Sequence, residues 1–149
     1  MKQWILSQLL ILATNSYASG TPILKLNIEG LKSGQGGVAI TLFNKVEEKN
    51  YPTKSEKAIW QKYVDLSGLT KIEISIPDLP PGEYAAFAYH DENGDKKLNT
   101  NFIGIPKEGY GASKGAKNKF GPPKFSDAKF NLEVEIPTSY NSTTIKVDY

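Results

Sequence analysis

The sequence predicts an all-β protein, namely a seven-stranded antiparallel Greek-key sandwich with one long ordered loop. Seven short segments alternate apolar and polar residues with a period of two, which places every second side chain on one face of a strand. Segments with the period of about 3.6 residues of an amphipathic helix are almost absent. Short strands that bury one face each are typical of two sheets packed face to face. A closed barrel produces the same pattern and stays open as the alternative.

The first part of the chain differs from the rest. After a short positively charged start, an apolar run covers residues 4–13, and Ser16 and Ala18 place small side chains where a signal peptidase reads them. This run is shorter than the stretch of about 20 residues that crosses a membrane as a helix. We therefore predict a signal peptide over residues 1–18, a single exported domain over residues 19–149, and a periplasmic or extracellular location.

Composition argues against several functions. The chain has no cysteine, which excludes disulfides, and its single histidine offers no cluster for zinc or copper. All 18 basic residues are lysine, whereas arginine is the residue of choice for bidentate recognition of phosphates and bases. No segment after the signal peptide is long and apolar enough to span a membrane. We predict that nucleic acid is not a partner of this protein.

The predicted strands are short, and the clearest of them carry apolar residues at every second position. The first has Leu24, Leu26 and Ile28 on one face, and a glycine-rich turn over residues 30–37 connects it to the second as a predicted hairpin. The polar residues 47–57 are predicted to contain a short helical turn. The seven strands are predicted over residues 23–28, 38–42, 60–66, 71–76, 83–90, 129–136 and 143–149.

The segment LPPGEY, residues 79–84, predicts a corner between the two sheets. Its two prolines restrict the backbone and end the preceding strand, and Gly82 permits a conformation that other residues avoid. Tyr84 then stands where a tyrosine can hydrogen-bond back across the corner, as in immunoglobulin-like sandwiches. We interpret Tyr84 as a structural residue and not as a catalytic phenol.

Between residues 91 and 127 the strand pattern stops. Loops longer than about 12–15 residues are uncommon, and they are usually functional or disordered. This one contains more apolar and aromatic residues than a solvated linker normally has, so we predict an ordered loop packed over one end or face of the sandwich. The predicted anchors are Phe102, Ile103, Ile105, Tyr110, Phe120 and Phe125.

Four separated motifs occur in order along the chain: LPPGEY at 79–84, HDENGD at 90–95, NFIGIPKEGYG at 101–111 and FGPP at 120–123. Together they resemble a bacterial family, the domain of unknown function 2141. The resemblance implies an exported β-sandwich of transthyretin-like or carboxypeptidase-regulatory-like type, with no established activity or catalytic residues. Members often continue the second motif as Asn-Gly-x-Leu-Asp, where this chain has DKKLN. That departure replaces a carboxylate by the amide of Asn99, so it implies a weaker metal site here.

The stretch of residues 91–99 predicts a candidate calcium loop. Its oxygen donors alternate as in the first half of a helix-loop-helix calcium motif, but that motif places its bidentate glutamate where this chain has Phe102. Glu108, Asp127 or backbone carbonyls could complete the coordination. The alternative is a tight turn at Asn93 and Gly94 without any metal. The candidate ligands are Asp91, Asn93, Asp95 and Asn99 through their side chains and Lys97 through its carbonyl oxygen.

Three functions follow as hypotheses. The first is a non-catalytic binding or structural module whose loop, stiffened by calcium, contacts a protein or glycan at the cell envelope. The second is a metal-free adhesion or assembly domain that uses an exposed sheet edge. The third, which we favour least, is a hydrolase with His90 as its base, because a histidine next to Asp91 is more ordinarily a structural residue. The lysine-rich residues 107–124 could also meet an anionic partner, or they could simply be a solvated loop.

Overall fold

The computed structural model describes residues 22–134 and 141–149, and these residues form eight strands and little helix. The predicted signal peptide lies outside the described residues. Two short 3-10 turns, Lys45–Glu47 and Ser55–Lys57, occupy the polar segment in which a helical turn was predicted. The elements are β1 (Leu24–Glu29), β2 (Gly37–Asn44), β3 (Trp60–Asp65), β4 (Ile72–Ile76), β5 (Gly82–Asp91), β6 (Tyr110–Ala112), α1 (Phe125–Ala128), β7 (Phe130–Leu132) and β8 (Asn141–Lys146).

The strands form two sheets, which confirms the predicted all-β sandwich. The smaller sheet has the order β4-β1-β8, and the larger has the order β3-β2-β5-β6 with β7 also paired to β5. All pairs between these strands are antiparallel except β1 with β8, which run parallel from Leu24 opposite Asn141 to Glu29 opposite Lys146. The prediction of seven strands, all antiparallel, is therefore wrong in both details. The short β6 was missed because three residues are too few to show a period.

The predicted hairpin between the first two strands is wrong, because β1 and β2 belong to different sheets. Both strands send alternate apolar residues into the same core, so their patterns look alike although they do not pair. The turn at residues 30–37 crosses from one sheet to the other. Gly36 has a φ of +67°, and a Cβ built on it would lie 2.0 Å from the carbonyl oxygen of Asp91. Only glycine fits this crossing.

The main core lies between the two sheets and consists of aliphatic side chains. β1 buries its alternate residues completely, β4 buries Ile74 and Ile76, and Val147 after β8 is also buried. In the predicted sixth strand, Leu132 is buried but Val134 is exposed, and residues 135 and 136 lie outside the described residues. The buried aliphatic residues of this core are Leu24, Leu26, Ile28, Leu31, Val38, Ile40, Leu42, Leu66, Ile74, Ile76, Leu79, Leu132, Ile145 and Val147.

The two sheets are joined along one side, where β6 meets the end of the chain. The backbone N–H of Tyr110 donates to the carbonyl of Asp148 at 2.9 Å, and the N–H of Asp148 donates back at 3.0 Å. Gly111 permits this approach, since a Cβ on it would lie 2.3 Å from the carbonyl oxygen of Lys146. At the other side, β3 and β4 are the end strands of their sheets. The described part of the chain is thus a sandwich closed along one edge.

The corner at residues 79–84 has the predicted form. The hydroxyl of Tyr84 donates to the carbonyl oxygen of Pro80 at 2.5 Å, four residues upstream. The ring of Tyr84 is buried in the main core and lies beside Phe130. This confirms the structural interpretation of Tyr84.

Candidate functional site

The candidate site is a groove on the outer face of the larger sheet, which points away from the main core. The register of β2, β5 and β6 aligns two rows of side chains there, one with Ala39, Tyr89 and Tyr110 and the next with Thr41, Phe87 and Ala112. The rings of Phe87 and Tyr110 lie 5.9 Å apart between centroids. These rows form an aromatic floor for the groove.

Two loops form the walls of the groove, and both belong to the segment that was predicted as one long loop. The first loop comprises residues 92–109 and the second comprises residues 113–124; β6 separates them, and α1 follows the second. The segment is therefore not one continuous loop. Residues 52–55 line a third side, and the groove, which is open to solvent, has a volume of about 870 Å³. Pockets of roughly 300–1,000 Å³ are the usual size for small-molecule sites.

The tips of the two loops expose apolar side chains. Phe102 is 99% exposed and Phe120 is 90% exposed, while Ile103 and Ile105 are also exposed. The prediction that these four residues anchor the loop is wrong, because their side chains are exposed and belong to neither core cluster. Of the predicted anchors, Phe125 is buried and Tyr110 is half-buried in the floor.

The described side chains that line the groove carry positive charge only. Lys96 and Lys97 extend from the first loop, and Lys119 from the second, whereas none of the lining residues is acidic. The ammonium of Lys96 lies 5.4 Å from the centroid of the Tyr63 ring, and that of Lys119 lies 5.5 Å from the Phe120 ring. The site therefore combines aromatic and apolar surface with lysine charge.

The candidate calcium loop begins at the end of β5 and is organised by one buried carboxylate. Asp91 Oδ1 accepts from the N–H groups of Gly94 and Asp95 at 2.8 and 3.2 Å. Its Oδ2 accepts from the N–H of Lys96 at 2.8 Å and from the hydroxyl of Tyr63 at 2.9 Å. Lys96 has a φ of +61°, at the sixth position, where the helix-loop-helix calcium motif has glycine for its sharp turn. The turn thus shares with a calcium loop the positive φ at its sixth residue.

The other candidate ligands join the same hydrogen-bond network. Asn93 Oδ1 accepts from the N–H of Asp95 at 3.0 Å, and Asp95 Oδ1 accepts from the N–H of Lys97 at 2.9 Å. The Asn99 amide donates to Asp95 Oδ2 at 2.9 Å and to the carbonyl of Lys97 at 3.1 Å. The hydrogen bonds that the Asp95 carboxylate accepts, first from the Asn99 amide and then from the N–H of Lys97, hold the pKa of Asp95 below its usual value. All five predicted ligands are therefore in one turn.

Of the two residues predicted to complete the coordination, the structure brings one to the turn. The buried Glu108 accepts from the N–H groups of Glu92 and Asn99 at 3.2 and 2.9 Å, and so connects the two ends of the first loop. Asp127 lies in α1, where it accepts from the hydroxyl of Ser126. The part of the chain that the structure describes contains no group of three or more His, Cys, Asp or Glu side chains that could share one ion.

His90 faces the opposite side of β5 from the groove and the turn. Strand alternation directs it into the end of the main core, where its relative exposure is 0%. Its Nδ1 is hydrogen-bonded to the hydroxyl of Tyr149, and its Nε2 lies 2.8 Å from the carbonyl oxygen of Gln35. Both ring nitrogens are therefore engaged, one with Tyr149 and the other with the crossing turn at Gln35.

Sequence reasoning missed the floor of the groove, although β5 carried a signal for it. The strand reads GEYAAFAYHD and is apolar at successive positions, so both of its faces suit burial. One face meets the main core, and Ala85, Phe87 and Tyr89 lie on the other. A strand that is apolar on both faces indicates a sheet covered on both sides.

The fold and the groove define a class of protein, a β-sandwich domain with one covered outer face and a pocket between two loops. The chain belongs to the DUF2141 family of uncharacterized proteins conserved in bacteria, whose family model matches residues 26–139. Comparison with the curated proteins gave no match, and neither did comparison with the solved structures. Among the described residues, no helix is long and apolar enough to cross a membrane.

Proposed function

We propose that this protein is an exported, non-catalytic binding module of the bacterial cell envelope. Its ligand site is the groove on the larger sheet, and its ligand has an apolar body and a negatively charged group. The observation that carries this proposal is a cavity of about 870 Å³ whose floor is aromatic and whose charged lining residues are all lysines. An apolar body would be buried against Phe87 and Tyr89, and the lysines would attract the anionic end.

The position of His90, the one histidine in the sequence, supports a non-catalytic role. A general base must reach the proton that it removes. His90 is buried on the other side of β5, and both of its ring nitrogens have partners. The groove is lined instead by lysine, hydroxyl and aromatic side chains, which bind and orient ligands.

The experiment that tests the groove replaces a small residue of its floor with a large one. Ala39 lies in the floor, and Ala39→Phe adds a ring to the cavity. The matched control is Ser75→Phe, at an exposed position on β4 in the smaller sheet. We would titrate each protein with anilinonaphthalene sulfonate, an apolar anion, and follow its fluorescence. We expect Ala39→Phe to weaken binding by about tenfold or more and Ser75→Phe to leave it unchanged.

Equal binding by Ala39→Phe and by the unsubstituted protein would remove the groove as the ligand site. If Ala39→Phe does weaken probe binding, competition between a fatty acid and the fluorescent probe identifies the class of ligand that the groove prefers. A fatty acid that displaces the probe supports an anionic amphiphile, whereas a neutral alcohol of the same chain length should compete less well, because it lacks the charge that the lysines attract.

A calcium-stabilised first loop is a second candidate feature, favoured by the positive φ of Lys96. A cation at this turn would meet the oxygens of Asp91, Asn93, Asp95 and Asn99 and the carbonyl of Lys97. Each oxygen of Asp91 already accepts two hydrogen bonds, so coordination requires one of them to be released. Calcium would then stiffen a wall of the groove without contacting its floor.

The alternative function, assembly through a sheet edge, is supported by β3 and β4. Each is the end strand of its sheet. Edge strands can add a strand from a partner protein. Charged residues follow both edges, however, with Lys62 and Asp65 on β3 and Glu73 on β4, and such residues commonly oppose strand addition. We therefore rank the groove first.

A further inference from the structure

We infer that the tips of the two loops dock this protein onto the surface of an anionic lipid bilayer, with the groove opening toward the lipid. The inference rests on the proposed function, since it gives a source for a ligand with an apolar body and an anionic group. The first tip comprises residues 101–105 and the second tip comprises residues 118–121.

Each tip presents a phenylalanine that the protein itself does not cover. Phe102 and Phe120 are the two most exposed large apolar side chains in the described residues. Ile103 of the first tip and Phe120 of the second both line the groove, so the two tips stand at its rim. Exposed apolar surface that is rimmed by polar groups marks a site of contact with a protein or a membrane.

Both tips have a defined backbone, which distinguishes them from solvated linkers. The first tip is a small hairpin in which the side-chain oxygen of Asn101 accepts from the N–H groups of Ile103 and Ile105 at 3.0 and 2.9 Å. In the second tip, the Asn118 amide donates to the carbonyl of Pro122 at 3.2 Å, and its oxygen accepts from the N–H of Phe120. Because these bonds shape the turns, the aromatic rings are held outward and remain almost fully exposed.

The charge around the tips complements an anionic membrane. Residues 96–124 include seven lysines and one acidic residue, Glu108, which is buried. Of these lysines, Lys117 forms an ion pair with Asp148. Lysines near an anionic lipid surface each contribute about 1 kcal/mol of attraction. Their long apolar stems also allow the ammonium groups to stay at the headgroups while neighbouring rings enter the lipid.

The shape of the tips favours a lipid surface over a protein partner. A stable protein interface has a contiguous apolar centre that a partner covers with close complementarity. Here, two separate turns protrude on either side of an open groove, and the most exposed rings stand at their ends. Such exposed rings, in a segment rich in lysine, can enter the fluid interface of a bilayer without a preformed complementary pocket.

The test is cosedimentation of the protein with vesicles of phosphatidylcholine, prepared with or without phosphatidylglycerol. We expect the protein to bind the anionic vesicles about tenfold or more tightly than the neutral ones, and to be released by high salt. The double variant Phe102→Ser, Phe120→Ser should bind anionic vesicles about tenfold less well, because two rings no longer leave water. Its matched control is Leu69→Ser, since Leu69 is exposed on the turn before β4.

A second pair of variants separates charge from apolar contact. Lys97→Glu with Lys119→Glu should weaken binding to anionic vesicles, whereas Lys71→Glu, at an exposed position outside the loops, should have a much smaller effect. Circular dichroism melting confirms that each variant is folded. The inference is wrong if anionic vesicles do not bind the protein, or if the double phenylalanine variant binds as well as Leu69→Ser.

The experiments distinguish the docking surface at the tips from the ligand site in the groove. Vesicle binding that depends on the tips, without any effect of Ala39→Phe on the fluorescent probe, would keep the docking surface and remove the groove as a ligand site. Probe binding that depends on Ala39, without vesicle binding, would keep the groove and show that its ligand arrives from solution.

Discussion

The Asp91 carboxylate is the single side chain that organises the start of the first loop. It ends β5 and accepts four hydrogen bonds, three from backbone N–H groups of the turn and one from Tyr63 on β3, which lies beyond β2 in the same sheet. A single side chain therefore determines both the turn and its attachment to the sheet. Since Lys96 and Lys97 follow at once, Asp91 also positions the charged wall of the groove.

Replacing the Asp91 carboxylate should destabilise the folded protein. Asp91→Ala leaves up to three N–H groups and one hydroxyl without their acceptor, and we expect the free energy of unfolding to fall by about 3 kcal/mol. Asn93→Ala is the matched control in the same turn, because the Asn93 side-chain oxygen accepts one bond only; it should cost about 1 kcal/mol or less. Urea unfolding followed by circular dichroism measures both. Similar costs for the two variants would contradict the central role of Asp91.

At the scale of elements, β6 has three residues yet connects the two sheets. It pairs with β5 in the larger sheet and exchanges backbone hydrogen bonds with Asp148 after β8. Ser113, directly after it, accepts from the N–H of Ala86 at 3.0 Å and donates to the carbonyl of Ala128 at 2.6 Å. The element thus ties β5, the chain end and α1 together beneath the second loop.

The close approach of β6 to β8 depends on Gly111. In Gly111→Ala, the new Cβ would lie 2.3 Å from the Lys146 carbonyl oxygen, so the backbones must separate. We expect a loss of about 3 kcal/mol in the free energy of unfolding, as for other overpacked sites. Gly121→Ala is the control, because the nearest atom to its Cβ would be 3.7 Å away. Chemical denaturation tests this, and an equal effect of both substitutions would exclude the proposed steric cause.

At the scale of the whole molecule, calcium binding would appear as a change in melting temperature. A ligand that binds only the folded state stabilises it, so the calcium prediction requires a rise of several degrees between excess EDTA and millimolar calcium. The double variant Asp91→Ala, Asp95→Ala should abolish this rise. A melting temperature that does not respond to calcium would leave the turn as a hydrogen-bonded structure without metal.

Alkaline pH should destabilise the whole molecule through its tyrosines. Burial, together with the hydrogen bond to Asp91, raises the pKa of Tyr63 to about 12, and burial also raises the pKa of Tyr51, Tyr84 and Tyr89. The folded state therefore retains these protons when the unfolded chain loses them. Their stabilising contribution is complete below a pH of about 10 and is lost as the pH rises through the folded pKa values.

Tyrosinate absorbance measures this directly. We expect the native protein to develop the ultraviolet absorbance of tyrosinate at higher pH than the same protein in concentrated urea, and the urea midpoint of unfolding to fall above a pH of about 10. Superimposable titrations of the native and the urea-unfolded protein would contradict the burial and hydrogen bonding described for these phenols.

The sequence by itself determined most of the strands, the corner at Tyr84, and the family. These depend on local information, since a period of two, a proline pair or a motif is complete within a few neighbouring residues. The turn at residues 91–99 was predicted in the same way, because the spacing of its polar residues and the hydrogen bonds among them lie within one segment, whereas its bonds to Tyr63 and Glu108 appear only in the tertiary structure.

Only the tertiary structure decided which sheet each strand joins and which apolar residues stay exposed. The pattern of β1 indicates one buried face but not its partners, β4 and β8, and β8 comes more than a hundred residues later and pairs with β1 in parallel. Likewise, Phe102 and Phe125 are both phenylalanines of the segment 91–127 and were both predicted to anchor it, yet Phe102 is exposed and Phe125 is buried. The difference arises because Phe125 packs edge-on against Tyr51, which in turn packs against Phe43, and both partners are distant from Phe125 in sequence. Burial depends on the neighbours that the fold provides.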